Sequence, residues 1–324
     1  MLGQAYREYS LLHPGSGFLE LDADTVWRAM RDAIREVAGA VDQRDPIRAV
    51  GGCTIAGAII PVSSDGEPLY HYVISADTRS MKQARSWERS FGRERTFAIT
   101  GRVPDRSYAL TKILWFRENE PRLYSRAARF LGWGDFVFQR LGLQAVMDYS
   151  VASWTMAYDV SRRQWSHEIL DAARIDLARL PRLGAAGEHA GELGQAALRD
   201  LGLRGPVCAG VFAFDQMSAA AGVGVLGPGP AASNTGTAES VAIGLEALRL
   251  DRGLLDANFS CEQHVLPDRY AVLALNPSGG SILKWYRDNF AAGAMRASGG
   301  GRNAYDVILE RCINHSRALY ALRI

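Results

Sequence analysis

Asp215 stands in Val211-Phe212-Ala213-Phe214-Asp215-Gln216, where a short apolar run gives way to a segment that reads as a helix. A carboxylate at that junction has two uses. It can cap the helix by accepting a backbone N–H. It can also project from the carboxyl end of a strand, where open α/β sheets bind ligands. Asn234-Thr235-Gly236-Thr237 is a tight turn with flanking hydroxyls, a set that can hold phosphate oxygens or simply close a hairpin. Ser278-Gly279-Gly280 opens a helix containing Lys284 and Trp285; paired glycines there allow an anion close to the backbone. Asp77-Thr78-Arg79 follows a strand and offers charged hydrogen bonds to a polyol, or forms an ion pair or cap.

Other chemistries are missing. Gly222-Val223-Gly224-Val225-Leu226-Gly227 matches G-x-G-x-x-G literally, but it follows a helix and precedes Pro228 and Pro230. A dinucleotide site needs the glycines between strand and helix, so this stretch reads as a helix end and linker. G-x-S-x-G, H-E-x-x-H and P-loop patterns do not occur, and the six histidines share no ligand spacing. No metal ligand set is readable.

The elements that must position these residues are mixed. Residues 24–41 predict an amphipathic helix capped by Asp24, with Trp27, Met30, Ile34, Val37 and Val41 on one face. Residues 49–61 predict a buried strand that turns at Ser63-Ser64-Asp65-Gly66 and returns along residues 69–75. Residues 108–157 read as mostly helical, with Trp115, Phe116, Phe130, Leu131, Phe136 and Leu141 in the core. A strand at 206–212 leads to the Asp215 helix, a hairpin spans 232–243 around Gly236, and a strand at 270–275 leads to the Gly279-Gly280 helix. Such alternation predicts an α/β protein.

Of the 324 residues, 48 % are hydrophobic and 22 % charged, the composition of an ordinary globular protein. A net charge of +2 gives no basic excess for nucleic acid. Cys53, Cys208, Cys261 and Cys312 are far apart, and the sequence shows no basic-then-apolar leader and no membrane-length apolar run. The expectation is a cytoplasmic protein in a reducing compartment, free of membrane and nucleic-acid partners, with homo-oligomerisation open.

The order of the motifs is more specific than any one of them. Gly17-Phe18-Leu19-Glu20-Leu21-Asp22 with Trp27 resembles the "G-w-x-E-x-d" segment of the FGGY carbohydrate kinases, and Asp77-Thr78-Arg79 resembles their "D-x-R". Residues 112–119, with Lys112 and Trp115, look like their first signature, although Ala109 departs from it. Asp148-Tyr149-Ser150-Val151-Ala152-Ser153 resembles "D-x-S-x-A-S". Ala209-Gly210 through Asp215-Gln216 resembles the stretch with the family's catalytic Asp, Gly236-Thr237 its phosphate-contacting "G-T", and Gly279-Gly280 with Trp285 its "G-G-x-x-x-x-W".

This resemblance implies a ribonuclease-H-like, actin/hexokinase-type fold of two α/β domains, and phosphorylation of a sugar or polyol with ATP and Mg2+. It implies Asp215 as general base, and Gln216, Asp77 and Arg79 as sugar-binding. Gly236, Thr237, Gly279, Gly280 and Lys284 would meet the nucleotide and its phosphates. The expected boundaries are 1–228 for an N-terminal kinase domain and 229–324 for the start of a C-terminal one. The family's opening "D-x-G-T" strand and its later adenine-contacting segment do not appear in this sequence. The expectation is therefore a chain short of the first strands of domain 1 and the later part of domain 2. Its alternative reading is a non-catalytic sugar-binding or regulatory remnant of a kinase. Cys53-Thr54-Ile55-Ala56-Gly57 replaces the polar pair that many members place before the hairpin.

Overall fold

The computed structural model describes residues 2–42, 44–235, 239–276, 279–297 and 304–321. The chain divides into two compact units. The first comprises Met1–Ala232 and Ala242–Leu273; the second comprises Ser233–Val241 and Ala274–Ile324.

The first unit is α/β, built from short paired strands between helices. The predicted 49–61 strand is three pieces, because Gly51-Gly52 and the loop at residues 55–59 interrupt it. Ala49–Val50 runs parallel to Cys208–Gly210 at the edge of a three-stranded sheet completed by His189–Glu192. Cys53–Thr54 runs parallel to Ala213–Phe214, and Ile60–Val62 runs antiparallel to Arg129–Leu131. The chain does turn back after residue 62: Val62 bridges Pro68, Ile59 bridges Val73, and Ser63 N–H donates to Glu67 at 2.9 Å. The return leg, Tyr72–Val73, also pairs antiparallel with Glu20–Leu21.

The helix expected from residue 24 spans Ala23–Ala40. Its cap is Asp22, not Asp24. Asp22 is extended and accepts the Thr25 N–H at 2.7 Å, whereas Asp24 lies in the first turn and takes a bond from Arg140 at 2.6 Å. Trp27, Met30 and Ile34 pack against Val137, Phe138, Leu198 and Leu201, as the apolar stripe requires.

Residues 108–157 are less uniformly helical than their composition implies. Helices Ala109–Asn119, Pro121–Arg126, Trp133–Arg140 and Tyr149–Ala152 alternate with strands Arg129–Leu131 and Val146–Asp148. A short apolar run bounded by helical sequence does not by itself distinguish a buried strand from a buried helix. Phe116, Phe130, Leu131 and Phe136 are fully buried. Each adds about 1.5–3 kcal/mol by leaving water. Trp115 is only partly buried, and its ring lies under the Arg79 guanidinium.

Ala231–Thr235, Glu239–Leu245, Tyr270–Asn276 and Ser260–Gln263 form a four-stranded sheet in that order. The predicted turn at Gly236-Thr237 falls outside the described residues. Helices Gly279–Phe290, Ala292–Ala297 and Ala304–Ala321 belong to the second unit, whose small core contains Ala291, Ala294, Val307 and Ile308. Among the described residues no helix is long and apolar enough to cross a membrane.

Candidate active site

Ala213–Phe214 and Cys53–Thr54 are parallel partners, Ala213 opposite Cys53 and Phe214 opposite Thr54. The helix Asp215–Gly222 begins directly after the first of them. Asp215 therefore sits at the carboxyl end of a parallel pair, at a place where α/β sheets gather ligands. It is not the helix cap. Phe214 holds that position and makes no side-chain capping bond. The Asp215 carboxyl is half-buried, and desolvation pushes its pKa above the ordinary value, with the Gln216 N–H opposing that rise. A higher pKa makes the carboxylate a better proton acceptor. Gln216 beside it is also half-buried.

The facing loop is tight. Gly57 has φ +72°, and a Cβ there would lie 2.5 Å from the Ser107 carbonyl oxygen and 3.4 Å from the Trp154 ring. Only glycine fits such a turn. In this loop Cys53 and Ile55 are exposed while Thr54 and Ala56 are buried. The Cys53 thiol is held above its usual range, first by partial desolvation and then by the Asp215 charge.

Behind Asp215 lies a buried polar framework. Phe214 N–H donates to Ser150 Oγ at 3.1 Å. Ser150 Oγ in turn donates to Asp148, whose Oδ1 also accepts the N–H groups of Ser150 and Val151 at 2.9 and 3.1 Å. The Phe214 ring meets Trp154 at 5.2 Å, and Arg102 lies 4.1 Å over the Trp154 ring. Arg102 also donates to the Ser153 carbonyl at 2.7 Å and forms a buried ion pair with Glu262.

Asp77 and Arg79 form a second framework with Glu20. Arg79 makes a two-pronged pair with Asp77 at 2.9 and 2.8 Å and reaches Glu20 at 2.5 Å; Tyr70 takes a further bond at 3.3 Å. Asp77 also accepts the N–H groups of Leu19 and Arg79. The guanidinium lies 4.0 Å over Phe18 and 4.9 Å over Trp115. The side chains of Asp77 and Arg79 have 0 % exposure, so they present no surface to a sugar. This burial does not favour the sugar-contact expectation drawn for them from the sequence. Nearby, Lys112 is fully buried and donates to the Arg106 carbonyl at 2.8 Å; desolvation pushes its pKa down to about 7.

Gly236 and Thr237 lie outside the described residues. Gly279 and Gly280 open the Gly279–Phe290 helix of the second unit, with Lys284 exposed one turn on. Among the described residues no group of three or more His, Cys, Asp or Glu side chains is arranged to hold a metal ion. The sequence draws attention to Asp215 and gives no role to Asp148, Ser150, Arg102 or Glu262 around it.

A model of the FGGY family of carbohydrate kinases, N-terminal domain, matches residues 1–222. The chain belongs to the FGGY family of carbohydrate kinases. A xylulose kinase of Lactococcus lactis is 25 % identical over 289 residues, 88 % of this chain and 56 % of that protein. A glycerol kinase of Methylibium petroleiphilum is 27 % identical over 305 residues, 91 % of this chain and 60 % of that protein. The crystal structure of a ligand-bound xylulose kinase from Lactobacillus acidophilus superposes with a TM-score of 0.82 at 19 % identity, covering 91 % of this chain and 61 % of that one. The fold is therefore the α/β fold of the FGGY sugar kinases, and the chain spans a little over half the length of the relatives it matches.

Proposed function

We propose that this FGGY chain serves the ATP-dependent phosphorylation of a small sugar or polyol, with Asp215 as general base. The observation that carries the reading is a half-buried carboxylate at the carboxyl end of a parallel strand pair, left free of the capping role and raised in pKa. Asp215 takes the hydroxyl proton as the sugar oxygen bonds to the γ-phosphorus and the bond to the ADP oxygen breaks. Gln216 hydrogen-bonds the sugar. Gly236 and Thr237 meet the transferring phosphate, and Gly279, Gly280 and Lys284 the nucleotide. The described residues offer no cluster for Mg2+, so no step is assigned through it. Asp77 and Arg79 serve through their buried ion pairs with one another and with Glu20.

The relatives are named as xylulose and glycerol kinases, which keeps the substrate class to small polyhydroxy compounds. Cys53, Thr54 and Ile55 stand where many members carry a polar pair, which favours a substrate with an apolar edge. Asp215→Asn tests the base. The isosteric amide accepts no proton, so phosphorylation should fall at least ~10³-fold with the fold intact by circular dichroism. Near-normal turnover would overturn the assignment.

A further inference from the structure

The backbone just before Asp215 is held in an unusual way. Successive amides along a strand point to opposite edges. The Ala213 N–H is taken by the Gly52 carbonyl at 3.1 Å, within the pairing with Cys53–Thr54. The Phe214 N–H therefore points to the other edge, and what meets it there is the Ser150 hydroxyl at 3.1 Å. The directions of the bonds are fixed by chemistry. An amide N–H only donates, so Ser150 Oγ accepts from it and must give its own proton to the Asp148 carboxylate. Asp148 is locked in turn by two backbone N–H groups from the Tyr149–Ala152 helix that it caps. Ser150 is fully buried, Asp148 is 1 % exposed and Phe214 4 %, so no water competes for these bonds.

We propose that Ser150, held by Asp148, is a positioning residue for Asp215: it fixes the strand end from which the Asp215 carboxylate is presented. It touches neither substrate nor reacting atoms. It acts through the Phe214 amide, one peptide away from the carboxylate. This inference rests on Asp215 being the base, and it adds the source of the base's placement. A displacement near 1 Å at a reacting group can cost about 10²-fold in rate.

Cys53 supplies a readout that needs no phosphate transfer. Its thiol feels the Asp215 charge, so the pH profile of its alkylation reports where that carboxylate sits. Iodoacetamide labelling of the full chain, followed at the Cys53 peptide by mass spectrometry, is compared for wild type, Asp215→Asn, Ser150→Ala and Ser150→Thr. Asp215→Asn should lower the thiol's apparent pKa by removing the charge. Ser150→Ala should move it off the wild-type value by letting the carboxylate shift, and should cut kcat ten- to a hundredfold with the KM for ATP unchanged. Ser150→Thr, which restores the hydroxyl, should return both towards wild type. Should the alanine variant not fold, Ser150→Cys keeps the volume and replaces the hydroxyl with a weakly bonding thiol, and the same shift is expected. If Asp215→Asn shifts the Cys53 profile and the Ser150 variants leave it at wild type, the positioning role is overturned. It is equally overturned if Ser150→Ala, folded, keeps the wild-type kcat. Retained turnover in Asp215→Asn is a separate result and removes the base assignment.

Discussion

Arg79 shows how far a residue's surroundings decide its part. Its guanidinium satisfies Asp77 and Glu20 in a site closed to water. Removing one member of such a set leaves buried charge uncompensated, which costs about 3–5 kcal/mol. Arg79→Met should destabilise by that order in urea unfolding, with Asp77 and Glu20 left behind. Lys112 makes the opposite case. Its pKa is pushed down to about 7, so between pH 7 and its ordinary value near 10.5 the unfolded state binds more protons than the folded one. Stability then rises with pH across that window, and the penalty for burying the cation is fully present below pH 7. Lys112→Met should remove this rise and stabilise the protein at pH 7. The Arg106 carbonyl that loses the lysine still accepts from Ser80 and Thr111.

At the scale of elements, the loop at Cys53–Gly57 and the strand before Asp215 form one construction. Gly57 at φ +72° lets the loop pass against Ser107 and Trp154. Gly57→Ala forces both a left-handed alanine and a clash with backbone, and should cost about 1–3 kcal/mol, measurable as a lowered melting midpoint. Much of this construction was legible. The strand–Asp–helix order at 211–222, the Ala23–Ala40 helix and the turn at Ser63–Gly66 follow from local pattern and turn chemistry. The 49–61 and 108–157 segments were read too simply. Short apolar stretches carry no period, and their pairing partners, such as Arg129–Leu131 for Ile60–Val62, lie far along the chain. The sequence offers two aspartates two residues apart, and the observed cap is the earlier one, Asp22. Only backbone geometry distinguishes them.

For the whole molecule, three buried ionisable groups shape the pH response. Asp135 is pushed up to about 7 and Asp148 to about 6, both chiefly by desolvation. Between their ordinary values and these, the folded state binds more protons, so their contribution to stability falls as pH rises from about 4 to 7. Lys112 then reverses the slope above pH 7. Thermal melts should show a shallow minimum near neutrality, and Asp135→Asn should flatten the acid side. The second unit exposes Trp285 at 57 % and Phe290 at 63 %. Apolar surface of that kind binds apolar partners or dyes. Trp285→Ser with Phe290→Ser should lower fluorescence of a bound anilinonaphthalene sulfonate.

The sequence by itself determined the class and the family resemblance and put Asp215 forward as a candidate base, because these follow from residue type, local period and motif order. Tertiary structure decided what surrounds that carboxylate. It withdrew Asp77 and Arg79 into a buried clamp and brought Ser150 from 64 positions away in sequence to the amide before Asp215. Such decisions depend on long-range packing and on which hydrogen bonds remain once water is excluded, and no local pattern in the chain encodes them.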